Sequence, residues 1–187
     1  MKARGAKGWV QEYVETLPKG CVWVVAGVPG TAKTRLLMEA ADELSRRNRG
    51  VAVVDSDGYA PWLRGGVPIK ATQSIKEAIS WAESVKPGWF FVDGLQSLDE
   101  DPEIGFLKLE QLARRIDAVL CCSMGSIRTK KGQVAFKSVP IFHRGSMIWE
   151  PQAVGRDYVD LVITKCRHLE LPFNHRISAE VSLPIKR

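Results

Sequence analysis

Lys33 and Thr34 stand behind two glycines in Gly27-Val28-Pro29-Gly30-Thr31-Ala32-Lys33-Thr34, and that spacing is the chemistry of a phosphate-binding P-loop. Glycines let successive backbone N–H groups turn inward around an anion, and a following helix adds its partial positive charge. Lys33 would reach the outer phosphates, while the Thr34 hydroxyl would ligate Mg²⁺. The expected phosphate cradle is therefore Gly27, Val28, Pro29, Gly30, Thr31, Ala32, Lys33, Thr34 and Arg35. Ala32 stands where the usual pattern has its last glycine; one added methyl on a good helix former should leave the loop intact.

Carboxylates further along complete a hydrolytic set. Asp93 closes the apolar run Trp89-Phe90-Phe91-Val92, the place for a Walker-B aspartate holding Mg²⁺ beside Thr34. Asp55 and Asp57 close another apolar run, Val51–Val54. A carboxylate there can orient and deprotonate an attacking water. Asp57 is the expected acid, with Asp55 in a supporting role. An aspartate is one methylene shorter than glutamate, so slow turnover is foreseen.

These groups need elements to carry them. Val22-Trp23-Val24-Val25-Ala26 reads as a strand feeding the loop, and a helix should run from the loop to about Asn48, closed by Gly50. Continuous apolar runs at 51–55, 89–93 and 118–123 read as strands buried on both faces of a parallel sheet. Residues 58–72 read as a Gly/Pro-rich loop. Ile75, Ala78, Ile79, Ala82 and Val85 recur at helical spacing up to Pro87-Gly88, and Asp101-Pro102-Glu103 is a helix start. A short helix is expected over Gly8–Thr16, and three later strands at 146–149, 158–164 and 176–181 should pair as a meander. The expected fold class is α/β, with a mainly parallel central sheet, flanking helices and a β-rich C-terminal part.

Bulk properties agree with one soluble domain over residues 1–187, with 1–20 as a helical lead-in. Of 187 residues, 45% are hydrophobic and 26% charged, ordinary for a globular chain, and no apolar run is long enough for a membrane span. Met1-Lys2-Ala3-Arg4-Gly5 leads into no apolar signal core. Cys21, Cys121, Cys122 and Cys166 form no C-x-x-C, so free thiols in a reducing, cytoplasmic setting are expected. The formal charge of +6 permits nucleic-acid binding without requiring it. Residues 126–144 hold Arg128, Lys130, Lys131, Lys137 and Arg144 without an acid, a candidate track for phosphates. Arg64 and Lys70 are weaker candidates, and Phe136 and Phe142 could stack on bases or anchor a hairpin.

The loop form Gly-x-Pro-Gly-x-Ala-Lys-Thr resembles that of a branch of AAA+ ATPases. Those proteins follow the Walker-B aspartate with a catalytic glutamate, whereas Gly94 follows here. RecA-class proteins instead take the acid from the strand after the P-loop helix, as Asp57 would provide. Over most of 15–181 the chain resembles the RecA-like core of the RecA/RadA/DnaB group, RadA most of all. Asp93-Gly94-Leu95-Gln96-Ser97-Leu98 is similar to RadA's D-S-I-Q-T-L, Thr129-Lys130-Lys131-Gly132 to its T-K-E-G, and Lys165-Cys166-Arg167 to its K-x-R. His143 and Met147–Glu150 fall where that family has a histidine and its next strand.

The resemblance implies ATP and Mg²⁺ as cofactors, a hexamer or filament, and DNA in the axis, single-stranded DNA favoured. Lys165 and Arg167 would act on the neighbour's γ-phosphate, and Gln96 would couple nucleotide state to movement. It also implies that the P-loop strand lies next to the Walker-B strand near the sheet centre. RadA's four-cysteine zinc finger, its protease-like domain and its N-R-F-G continuation have no counterpart in these 187 residues. Two further readings stay open: a slow or non-hydrolysing ATP-gated DNA-binding switch, and a small-molecule kinase with 128–144 as its lid.

Overall fold

The computed structural model describes residues 6–58, 66–128, 134–136, 139–172 and 174–181. Its strands are β1 (Val22–Gly27), β2 (Val51–Asp55), β3 (Ile69–Ala71), β4 (Trp89–Asp93), β5 (Val119–Arg128), β6 (Val134–Phe136), β7 (Met147–Val154), β8 (Tyr158–Cys166) and β9 (His175–Glu180). Its helices are α1 (Ala6–Trp9), α2 (Lys33–Arg46), α3 (Ile75–Val85), α4 (Pro102–Arg115) and α5 (Val139–Arg144).

Eight strands lie in the order β3-β2-β4-β5-β1-β7-β8-β9, with β6 paired to β5 off that path. From β3 to β7 every neighbouring pair is parallel, and β7, β8 and β9 are joined antiparallel. One expectation is overturned: β5, not the Walker-B strand β4, lies beside β1. Strand order depends on which helix crosses which face, and local residue patterns do not record that.

Alternation along β1 divides the core between the two faces of the sheet. Trp23 and Val25 face α1 and α2, while Val22, Val24 and Ala26 face α3 and α4. The α1 face is filled by Trp9, Trp23, Trp149 and Tyr13, with ring centroids 4.9 Å apart for Trp23–Trp149 and 5.4 Å for Trp9–Trp149. The lead-in starts at Ala6 and widens into a π-helical turn over Val10–Val14, closed by Glu15 N–H to Val10 O at 2.8 Å. That widening turns Trp9, Val10, Tyr13 and Val14 together into the core.

Helix ends follow local chemistry. Asp101 Oδ1 accepts from the N–H groups of Glu103 and Ile104, capping α4 ahead of its Pro102. α2 ends on Asn48 at φ +57, with Arg49 N–H returning to Leu44 O, so Asn48 rather than Gly50 makes the left-handed stop. β3 lies within the stretch read as loop. It is three residues long, its outer two are exposed, and Pro68 precedes it: a short sheet edge with no apolar run to announce it.

Candidate nucleotide site

β1 delivers Gly27 to the carboxyl end of the sheet, where the chain turns back tightly. Thr31 Oγ1 donates to Val28 O at 2.8 Å, and a Cβ on Gly27 would lie 2.5 Å from that hydroxyl. Gly30 takes φ +81. Ala32 takes φ +60 and ψ +26, a left-handed residue at the N-cap of α2 rather than a helical one. Its helix propensity therefore plays no part, and the conformation costs about 1 kcal/mol that glycine would avoid. Leu36 N–H is the donor that returns to Ala32 O, at 3.0 Å; the earlier N–H groups of α2 have no helical acceptor and face the loop.

Lys33 Nζ donates to Val28 O at 3.0 Å. Burial lowers its pKa, against the pull of the Asp93 and Asp57 carboxylates. Thr34 Oγ1 donates to Asp93 Oδ1 at 3.1 Å, which joins the loop to β4, the expected Walker-B strand, across the intervening β5. Ser123 on β5 donates to the same Oδ1 at 2.6 Å and accepts the Gly94 N–H at 2.8 Å. Asp93 is fully buried, and its Oδ2 is buried without a hydrogen-bond partner among the described residues. Burial pushes its pKa up to about 6, opposed by the Ser123 and Thr34 hydrogen bonds and assisted by Asp57 and Asp55. An unmet carboxylate oxygen next to a hydroxyl is a hard-oxygen donor set that fits Mg²⁺.

The two aspartates at the end of β2 and just beyond it separate cleanly. Asp55 is buried and its Oδ1 accepts the Gly58 N–H at 2.7 Å, closing its own turn. Asp57 is exposed and near enough to Lys33 and Asp93 to act on both electrostatically. Its Oδ2 lies 2.5 Å from where a Cβ on Gly94 would be, and Gly94 takes φ +78. Gly94 thus leaves open the space into which Asp57 leans.

Other expected site residues lie elsewhere. The Arg35 side chain does not point to the loop: it is buried and donates to Gly155 O, Arg156 O and Val181 O, clasping the β7–β8 turn to α2. Lys165 pairs in register with Ile148, itself opposite Val24, so the K-x-R element lies toward the amino end of β1, away from this chain's own loop. Lys165 Nζ donates to Phe142 O at 2.6 Å and His143 O at 2.8 Å, and Arg167 donates to His143 O at 2.5 Å. Burial lowers the Lys165 pKa, with Arg167 adding to the effect.

Of the basic segment, Arg128 ends β5, whereas Lys130, Lys131 and Lys137, like Arg64, lie outside the described residues. Arg144 is exposed, and its Nε donates to the buried Glu110 at 2.5 Å. Lys70 lies 3.4 Å from Glu77. Gln96 Oε1 accepts the Gly125 N–H at 3.2 Å, tying the turn after β4 to the outgoing part of β5. Sequence reasoning missed Ser123 and Ser56. The available signal was a hydroxyl residue closing an apolar run; the missing knowledge was that β5 and β2 flank β4.

The four cysteines are free thiols, Cys121 and Cys122 buried and the other two half-buried. No helix among the described residues is long and apolar enough to cross a membrane. No protein-family model matches this sequence, and no curated protein matches it. Among solved structures, the ATPase domain of another protein aligns with a TM-score of 0.70 over 95% of this chain and 88% of that one, at 15% identity. Such a likeness, together with the parallel sheet and its loop, supports the RecA-like P-loop fold without singling out RadA.

Proposed function

We propose that the chain is an ATPase that binds Mg²⁺-ATP and hydrolyses it within a homo-oligomer acting on nucleic acid, single-stranded DNA favoured. The observation that carries the reading is the convergence of Lys33, Thr34, Asp93 and Asp57 at the carboxyl ends of β1, β4 and β2. The ATPase domain that shares the fold adds support.

In this reading the loop N–H groups and Lys33 hold the phosphates, Lys33 leaving Val28 O to do so. Thr34 and Asp93 hold Mg²⁺, which supplies charge neutralisation on the phosphate oxygens. Asp57 accepts a proton from water as the water oxygen bonds to the γ-phosphorus; the bond to the β–γ bridging oxygen breaks, giving ADP and phosphate. Lys165 and Arg167, remote from their own loop, serve a neighbour's nucleotide, where added positive charge stabilises the transition state. The basic segment with Arg128, Lys130, Lys131, Lys137 and Arg144 tracks the nucleic acid.

The test is ATP hydrolysis against protein concentration, with and without single-stranded DNA, for wild type, Lys33→Ala and Arg167→Ala. Turnover that rises with both concentration and DNA, and collapses in each variant, supports the reading. Flat turnover indifferent to DNA and to Arg167 overturns the assembled enzyme. One observation favours a slow ATP-gated switch as second reading: both K-x-R cations are bonded to their own chain's carbonyls. In that case assembly depends on ATP, and turnover is no higher in wild type than in Asp57→Asn.

A further inference from the structure

The turn that carries Asp57 is fastened to the Walker-B turn by its middle residue. Ser56 is buried, and its Oγ lies 2.6 Å from Asp93 O and 2.8 Å from Gly94 O. One hydroxyl proton thus serves two carbonyl acceptors of the segment that holds the metal-binding carboxylate. The backbone bond alone is looser, Ser56 N–H to Asp93 O at 3.3 Å, and Gln73 Nε2 donates to Ser56 O, also at 3.3 Å. Asp55 closes the far side of the turn through Gly58 N–H. Of the turn's side chains, Asp55 and Ser56 are buried and Asp57 is exposed.

Close approach needs room, and Gly94 provides it. A Cβ there would lie 2.6 Å from Ser56 Oγ as well as 2.5 Å from Asp57 Oδ2. Hydroxyl and glycine act as a matched pair: one draws the two turns together, the other lets them meet. Asp57 has one methylene less than a glutamate, so the distance its carboxylate can cover is set by how far the whole turn advances.

We propose that Ser56 is a positioning residue whose hydroxyl advances the 55–58 turn against Gly94, giving the short side chain of Asp57 the reach to address the attacking water. The inference rests on Asp57 as the proton acceptor. Losing the hydroxyl lets the turn relax onto its backbone bonds and withdraws the carboxylate without touching the phosphate cradle. A longer acid at position 57 then becomes useful, whereas in the wild-type turn it overshoots toward Gly94.

The experiment measures kcat, KM and the dissociation constant of fluorescent ADP for wild type, Ser56→Ala, Asp57→Glu, the double variant and Asp57→Asn, each checked for folding by thermal melt. Ser56→Ala is expected to lower kcat about 10- to 100-fold with KM and ADP affinity unchanged, the size of effect a small misplacement produces. Asp57→Glu should lower kcat in wild type and raise it in the Ser56→Ala background. A kcat unaffected by Ser56→Ala overturns the proposal, as does an Asp57→Glu effect of the same sign and size in both backgrounds, the mark of a purely structural serine. If Asp57→Asn leaves kcat unchanged, the underlying assignment of Asp57 fails instead, a separately readable result. Should Ser56→Ala melt below the assay temperature, Ser56→Thr supplies the comparison: it keeps the hydroxyl and should hold kcat within about threefold of wild type, and a Thr variant that folds but loses kcat about 10-fold or more overturns the proposal.

Discussion

At the carboxyl ends of β1, β2 and β4, charged groups are held with bonding capacity to spare: Asp93 Oδ2 is buried without a partner among the described residues, and Lys33 is desolvated on a single loop carbonyl. Around α5, toward the amino end of β1, the cations each hold a partner of their own chain: Lys165 the carbonyls of Phe142 and His143, the exposed Arg167 the His143 carbonyl, and the exposed Arg144 the Glu110 carboxylate. In the proposed function the first region receives a ligand that this chain binds by itself. In the second the cations already hold partners of their own chain, and any further partner must offer more than those carbonyls to draw Lys165 and Arg167 away. Unmet bonding capacity is a local signature of a site; a trans-acting group carries no such signature in one chain.

The comparison breaks most severely at Arg167. If it serves a neighbour, Arg167→Ala should cut turnover about 10³-fold, the lower end for a transition-state arginine. Mixing it with Lys33→Ala subunits should restore activity, since one contributes an intact loop and the other an intact finger; failure of mixing would make Arg167 a local residue. Next in size, Asp57→Asn should lower kcat about 10²- to 10³-fold at unchanged ADP affinity. Asp55→Asn should mainly lower the melting temperature, because its carboxylate caps Gly58. Equal kinetic losses in the two would erase the division between them.

A smaller effect concerns pH. Asp93 is an acid held above its unfolded value, so the folded chain favours the protonated form. Stability should be unaffected by this group below about pH 4 and fall as pH rises toward and through about 6, by at most about 3 kcal/mol given the move from 3.8 to about 6. Melting curves of wild type and Asp93→Asn from pH 4 to 7.5 should diverge in the variant's favour, and saturating Mg²⁺ should narrow the gap for wild type alone. The smallest effect is at Glu110. Its two arginine partners are about half exposed, so Glu110→Gln strands no buried charge and should cost only about 1 kcal/mol in a denaturant titration. A loss of several kcal/mol would mean that α5 is an integral part of the core.

Much of this was legible beforehand because it is local. The runs at 51–55 and 89–93 became β2 and β4 at the bounds read, and Asp101-Pro102 opened α4, since burial on both faces and capping leave marks on neighbouring residues. β3 left none: three residues at a sheet edge bury too little to need an apolar run. The direction of the Arg35 side chain was not legible, because a helical residue beside the loop aims its side chain by rotamer and packing, and here the carbonyls of Gly155 and Arg156 in the β7–β8 turn and of Val181 after β9 attract it.

By itself the sequence determined the phosphate loop, the strand-ending carboxylates and the alternation of strands with helices, all encoded in spacing along a few residues. Only the tertiary structure decided that β5 stands between β1 and β4, that Ser123 and Ser56 brace Asp93 and its turn, that Ala32 is left-handed, and that Arg144 pairs with Glu110. Those outcomes depend on which distant segments the hydrophobic core brings side by side, and contacts across thirty or more residues have no signature in the spacing of either partner.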